Sequence, residues 1–208
     1  MSAERCSPTP ARTETGSTPR ALVDQLWLQR PRWRRPALVA VGVMLTAIGA
    51  RVAMPMHPVP TTLQTLALFT FAAATGPRLG MATAVLYGAL GLCGVPILAE
   101  GRALTPAEWA TSPSVGYILG FVPAAAVAGV AVRARGLRAL VRACLWLFAA
   151  HLIVLAVGTL GLCRLMEPPA AVEAGFAPFV WAAGAKSAAG AVLLALRGGA
   201  RSVPPVRR

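Results

Sequence analysis

The sequence contains few acidic residues, and none of them lies in an apolar stretch. Seven Asp and Glu stand against twenty Lys and Arg in 208 residues. Ion-coupled carriers use carboxylates inside the membrane to carry the coupling charge, so this lack argues against a self-sufficient secondary carrier. The chain also lacks a Walker phosphate-binding motif. It therefore cannot hydrolyse ATP by itself.

Catalysis and metal binding find equally little support. The two histidines, His57 and His151, fall in no pattern such as His-Glu-x-x-His, and no Gly-x-Ser-x-Gly elbow occurs. We interpret His151 as a packing residue. The cysteines show neither metal spacing nor a disulfide framework; they are Cys6, Cys93, Cys144 and Cys163. The sequence predicts no enzyme, no cofactor and no metal site.

The chain is rich in apolar residues instead. It is 56% hydrophobic and 13% charged, with a mean hydropathy of +0.64, which is typical of an integral membrane protein. Six apolar segments predict an all-α, polytopic protein of the cell membrane with six transmembrane helices; they cover about residues 37–53, 61–75, 79–98, 115–132, 144–165 and 177–196. A connector with Pro55, Pro58 and Pro60 precedes the second segment. It cannot be regular helix, and we expect part of it to dip into the protein.

The arginines predict the domain limits and the orientation. Residues 1–36 form a basic tail predicted to be disordered and cytoplasmic, residues 37–197 the six-helix membrane domain, and residues 198–208 a second basic cytoplasmic tail. Sixteen arginines fall on the side of the two termini, and only Arg51, Arg102 and Arg164 fall on the other side. This bias places both termini in the cytoplasm. We expect these cations to meet anionic membrane lipid and not nucleic acid.

Lys186 is the only lysine, and it lies inside the last apolar segment. A cation near the bilayer centre costs about 2.5–3.5 kcal/mol, so such residues usually face a ligand, a partner or the bundle interior. Lys186 follows Ala177 by roughly 13 Å of helix, which makes snorkelling to an interface difficult. No acid in the apolar segments can pair with it. We interpret Lys186 as the contact for an anionic ligand.

Polar residues near the outer helix ends form a second group of candidates. Gln64 can both donate and accept a hydrogen bond, and Tyr117 offers a ring and a hydroxyl. Helix capping explains Thr61 and Ser114 equally well, and packing explains Tyr87 as well as ligand contact does. The residues that open the second helix are Thr61, Thr62, Gln64 and Thr65, and those that open the fourth are Ser114, Gly116 and Tyr117.

Small residues recur every four positions in the first helix. Gly42, Thr46 and Ala50 form a stripe of the kind that lets helix backbones approach closely in lipid. The pattern alone is consistent with packing inside the chain or with docking of another subunit.

Several segments together resemble the BioY-type substrate-binding component of energy-coupling factor vitamin transporters. They are residues 59–66 (VPTTLQTL), 76–80 (GPRLG), 86–88 (LYG), 91–96 (GLCGVP), 116–121 (GYILGF), and Pro178-Phe179 followed by Lys186. The resemblance covers most of residues 37–197. It implies a six-helix membrane protein that captures biotin from outside and works with a transmembrane coupling protein and ATPase subunits.

The resemblance also implies roles for individual residues. The substrate-binding candidates become Lys186, Tyr117, Gly116, Gln64, Thr62, Tyr87 and Ser114. Lys186 would contact either the valerate carboxylate or the ureido oxygen of biotin. The stripe of Gly42, Thr46 and Ala50 becomes a docking site for the coupling protein, since the first helix of the family commonly carries Ala-x-x-x-Ala.

The sequence departs from the family pattern at two places. The family usually has Gly-Asp-x-x-Lys in its last helix, and here the Gly and Asp positions read Ala182 and Ala183. A Gly-Gly usually precedes the tyrosine at 117, where this chain has Val115-Gly116. The missing acid keeps a second hypothesis open, a membrane scaffold that does not transport.

Overall fold

The computed structural model describes residues 33–55, 59–130 and 136–199. The predicted tails, except for residues 33–36 and 198–199, lie outside this part of the chain, as does His57. The helices in the described residues are α1 Arg34–Arg51, α2 Gln64–Thr75, α3 Pro77–Leu92, α4 Pro106–Thr111, α5 Val115–Gly129, α6 Leu137–Leu162, α7 Pro168–Gly175 and α8 Phe179–Gly199. Two short strands, β1 Ala53–Met54 and β2 Thr61–Thr62, connect α1 to α2.

Each of the six predicted apolar segments overlaps one of the longer helices, which confirms a mainly helical protein. The short helices α4 and α7 were not predicted. Within the described residues, two stretches are long and apolar enough to cross a membrane, Leu137–Leu162 and Pro168–Arg197. Helices α2 and α5 are apolar but shorter. The count of six spans therefore stays a prediction.

The connector between α1 and α2 corrects the predicted start of the second helix. Thr61 and Thr62 do not open that helix but form β2, which pairs antiparallel with β1 so that Thr62 faces Ala53 and Thr61 faces Met54. Proline lacks an N–H and favours extended backbone in the residue before it, so the helix begins only at Gln64, after the proline-rich stretch. Val59 is buried. Part of the connector thus enters the protein, as expected.

The third helix also ends earlier than predicted, at Leu92 instead of Leu98. Gly94 adopts a φ of +82°, in the left-handed region that favours glycine, and the chain turns back so that Leu98 is buried. The Arg51 guanidinium at the end of α1 donates a hydrogen bond to the Pro96 carbonyl at 3.0 Å. Residues 93–105, which we name the cover loop, therefore lie over one end of the helices.

Helices α5 and α6 touch through their backbones. A Cβ atom added to Gly116 would lie 2.9 Å from Gly161 Cα and 3.0 Å from the Gly158 carbonyl oxygen. Neither neighbour can rotate away, because both atoms belong to the backbone. Only glycine fits at position 116 without moving the two helices apart.

The stripe on α1 faces the interior of the chain. Thr46 and Ala50 have no exposed surface, and a Cβ added to Gly42 would lie 2.7 Å from the Phe71 ring and from Thr83 Oγ1. These neighbours belong to α2 and α3. The expectation of an open docking surface at Gly42, Thr46 and Ala50 is corrected, because the chain's own side chains fill it. The site that contacts a coupling protein stays a prediction without a location.

Candidate functional site

A cavity opens at the end of the helices under the cover loop. Its empty volume, with the open mouth included, is about 910 Å³. Much of its wall is apolar. The larger apolar side chains that the cover loop, α5, α6 and α8 contribute are Leu98, Leu104, Ile118, Phe121, Val154, Leu155 and Phe179, and the connector before α2 adds Val59 and Pro60. Such a wall suits the hydrocarbon part of a small ligand.

Lys186 lines this cavity from α8, together with Ala183 one turn earlier. Among the described residues, no Asp or Glu contributes to the wall. A cation in a largely apolar wall needs a compensating anion. Lys186 therefore lies in the wall of the cavity, and its contact with an anionic ligand stays a prediction.

Arg102 supplies a second cation, from the cover loop at the mouth. From the sequence it was interpreted only as part of the charge bias across the membrane. Its side chain is exposed, so water screens its charge more than that of Lys186. The reversal of the chain at Gly94, which no apolar periodicity predicts, brings Arg102 to the cavity.

Thr62 and Gln64 line the wall near the start of α2 and are joined by hydrogen bonds. The Thr62 hydroxyl donates to Gln64 Oε1 at 2.6 Å, and Gln64 Nε2 donates to the Tyr87 hydroxyl at 2.9 Å. Tyr87 in turn donates to the Ile97 carbonyl at 2.6 Å. The chain of bonds links the cavity wall to the base of the cover loop.

Two of the predicted ligand contacts lie outside the cavity wall. Tyr87 has no exposed surface, and its hydroxyl is occupied by Gln64 and Ile97. Gly116 packs against α6 instead of lining the cavity. Tyr87 thus supports Gln64 from behind, and Gly116 lets α5 and α6 approach closely.

Tyr117 and Ser114 both reach the cavity from the start of α5. The Tyr117 hydroxyl donates to the Gly175 carbonyl at 2.7 Å, so its ring is the part that remains for a ligand. Ser114 stands at the N-cap position but makes no side-chain cap hydrogen bond. The capping interpretation of Ser114 is therefore wrong, and its contact with a ligand stays a prediction.

His151 lies in the wall beside Lys186 and was interpreted from the sequence as packing alone. Its ring does pack edge-on against Phe69, with centroids 4.8 Å apart. Its nitrogens, however, also contact the Thr65 hydroxyl at 3.2 Å and the Ser187 hydroxyl at 3.1 Å. A polar cluster therefore forms part of the same cavity wall as the cation.

Helix α4 follows the cover loop and is held by a capping box. The Thr105 hydroxyl accepts from the Glu108 N–H, and the Glu108 carboxylate accepts from the Thr105 N–H at 2.7 Å. These hydrogen bonds hold the pKa of Glu108 below its usual value. The box is therefore present at neutral pH and is lost only as the pH falls through this lowered pKa.

Comparison with known proteins places the chain in a family. The model of the BioY family matches residues 21–202. A probable biotin transporter BioY of Lysinibacillus sphaericus is 35% identical over 92 residues, which are 44% of this chain and 45% of that protein. A biotin transporter BioY of Thermotoga maritima is 30% identical over 151 residues, which are 69% of this chain and 85% of that protein.

A solved structure shares the fold. The crystal structure of the S-component for biotin from an ECF-type ABC transporter superposes with a TM-score of 0.65, at 19% sequence identity, over 81% of this chain and 94% of that one. At this identity the likeness concerns the fold alone. The alignment with the relative from Lysinibacillus sphaericus spans about half of that protein's length. Since the family model covers most of the sequence, this chain belongs to the BioY family.

Proposed function

We propose that this chain is the substrate-binding subunit of an energy-coupling factor transporter and that it captures biotin in the cavity under the cover loop. The observation that carries the proposal is the cavity wall itself, in which the described residues include Lys186 and no carboxylate, in a chain of the BioY family. Biotin is a small carboxylate with a polar ureido ring and an apolar chain. The cavity offers a complement to each part: Lys186 for the carboxylate, the polar groups of Gln64 and Thr62 for the ureido ring, and the apolar wall for the chain.

The proposal includes the arrangement in the cell membrane. Six spans with both termini in the cytoplasm follow from the apolar segments and the arginine bias, and they would open the cavity to the outside. The chain has no ATPase motif, so transport needs a transmembrane coupling protein and ATPase subunits. The relative from Thermotoga maritima is named a biotin transporter, and the structural neighbour is an S-component for biotin. Both support this assignment.

Arg102 should assist capture at the mouth. We expect Arg102→Gln to weaken biotin binding by about two- to fivefold, since an exposed ion pair contributes only about 0.2–1 kcal/mol. Raising the salt concentration should weaken binding to the parent more than to the variant. Equilibrium binding at two ionic strengths measures both effects. Arg164→Gln is the matched control, because this exposed arginine does not line the cavity. A loss of binding in the control as large as in Arg102→Gln would contradict a role at the mouth.

Ala183 provides a test of the missing acid. It is buried, lines the cavity and stands one turn before Lys186, so a carboxylate at 183 could reach both the lysine and the ligand. We expect Ala183→Asp to strengthen biotin binding or to change the preference among biotin analogues. Ala183→Asn, of the same size but uncharged, separates the charge from the volume. If Ala183→Asp folds and binds biotin and its analogues as the parent does, the predicted effect of a carboxylate at position 183 is wrong.

Uptake of radiolabelled biotin tests the proposed function as a whole. Cells without their own biotin uptake should take up biotin when they express this chain with a coupling protein and ATPase subunits, and should lose most uptake when the ATPase is inactive. Uptake that is independent of any ATPase would instead indicate a secondary carrier. Absence of uptake together with absence of binding would favour the scaffold hypothesis, which the loss of the family acid at Ala183 motivates.

A further inference from the structure

Ser187, His151 and Thr65 form a polar cluster beside Lys186. The donor and the acceptor of each hydrogen bond in this cluster can be assigned, beginning with Ser187. The Ser187 hydroxyl has one proton and lies 2.7 Å from the Ala183 carbonyl oxygen. A carbonyl oxygen can only accept, so this proton is used there. Toward His151, 3.1 Å away, the Ser187 oxygen is therefore an acceptor.

The direction continues through the ring of His151. Its Nδ1 faces two groups, the Ser187 oxygen and the Leu147 carbonyl at 2.9 Å, and both can only accept here. Nδ1 therefore carries a proton. In a neutral imidazole the other nitrogen, Nε2, is then an acceptor. The ring is buried in the same wall as Lys186, and a second positive charge there would be repelled, which favours the neutral ring.

Thr65 is the last residue in this series of hydrogen bonds. Its hydroxyl lies 3.2 Å from His151 Nε2 and donates its single proton to that nitrogen. The oxygen keeps acceptor capacity, and Thr65 lines the cavity. The wall therefore offers a hydrogen-bond acceptor at Thr65, although a free threonine hydroxyl could equally donate.

We propose that Thr65 is a specificity-determining residue whose direction is fixed by His151 and Ser187, and that it accepts a hydrogen bond from an N–H group of the ligand. Lys186 supplies a cation to the same cavity wall, and Thr65 selects a ligand that carries an N–H donor. Where the ligand is biotin, the donor is a ureido N–H; this part of the inference rests on the proposed function. His151 and Ser187 act as positioning residues, because they set the direction of the Thr65 hydroxyl.

Nuclear magnetic resonance of the full chain with ¹⁵N-labelled histidine tests the direction without any ligand. The parent has two histidines, and His57→Gln identifies the signals of His151. The expected spectrum shows a neutral ring with its proton on Nδ1 and a bare Nε2. A proton on Nε2, alone or in a doubly protonated ring, would overturn the acceptor assignment of Thr65.

Binding measurements then test the ligand contact. Thr65→Val removes the hydroxyl and keeps the shape, and Thr65→Ser retains the hydroxyl. For biotin we expect Val to weaken affinity by about tenfold and Ser by less than about threefold, because Val leaves the ligand N–H without its acceptor. For biotin methylated on both ureido nitrogens, Val and the parent should bind alike. An equal loss on both ligands, or no loss on biotin, would overturn the proposal.

These outcomes separate the two hypotheses. If the parent binds biotin but Thr65→Val binds it equally well, only the role of Thr65 fails. If the parent does not bind biotin, the proposed function and the ureido contact both fail, while the ¹⁵N spectrum still decides whether His151 Nε2 is free to accept the proton of Thr65.

Discussion

Replacement of Lys186 by Met should weaken biotin binding at least about tenfold, which corresponds to about 1.4 kcal/mol. The described part of the cavity wall contains no carboxylate, so we expect an anionic ligand to provide the compensating charge. Methionine has a similar length and no charge, and its apolar side chain suits the wall. The variant protein should therefore fold and melt like the parent or at a higher temperature, since an uncompensated charge has been removed.

Equilibrium binding of radiolabelled biotin to the purified proteins measures this effect. Lys186→Ala should lose affinity as Lys186→Met does, which shows that the charge and not the side-chain volume is responsible. Arg197→Gln is the control on the same helix, because Arg197 is exposed and does not line the cavity. Unchanged affinity of both Lys186 variants would remove this residue from the site.

Gly116→Ala should destabilise the protein by about 1–3 kcal/mol, the usual cost of overpacking. The added methyl would lie 2.9 Å from Gly161 Cα and 3.0 Å from the Val157 and Gly158 carbonyl oxygens. All three neighbours are backbone atoms, so α5 and α6 would have to separate. Because Tyr117 and Ser114 enter the cavity from the same end of α5, biotin binding should weaken as well.

Gly184→Ala is the matched control for this prediction. A Cβ added to Gly184 would meet no atom of the described residues within 4 Å, and alanine favours a helix over glycine by about 1 kcal/mol. Thermal melting in detergent should therefore show a lower midpoint for Gly116→Ala and an unchanged or higher one for Gly184→Ala. If both variants melted like the parent, α5 and α6 would not be in backbone contact at Gly116.

The longer helices could be predicted from the sequence because a long apolar segment by itself indicates a membrane helix. Lys186 could also be predicted, since a lone cation in an apolar segment is costly wherever the helix packs. The helix ends were less accurate. Pro60 lies just before the second predicted segment, and a left-handed glycine at position 94 lies inside the third. Both bend the chain, and hydropathy does not report such bends.

The packing partners of the small and polar residues were the hardest part to predict. Gly42, Thr46 and Ala50 have the spacing of a helix contact, but spacing does not tell whether the partner helix belongs to the same chain. Gly116 stands beside Tyr117 in a segment shared with the family, yet it faces α6. The sequence indicates only packing for His151, because it is isolated in an apolar segment and falls in no metal pattern; its partner Thr65 is 86 positions away.

Binding of radiolabelled biotin to the purified parent chain, without coupling protein or ATPase, tests the central claim most directly. We expect saturable binding at one site per chain, competed by unlabelled biotin and weakened in Lys186→Met while Arg197→Gln binds as the parent does. Absence of saturable binding in a chain that melts cooperatively would contradict the assignment of the cavity as a biotin site.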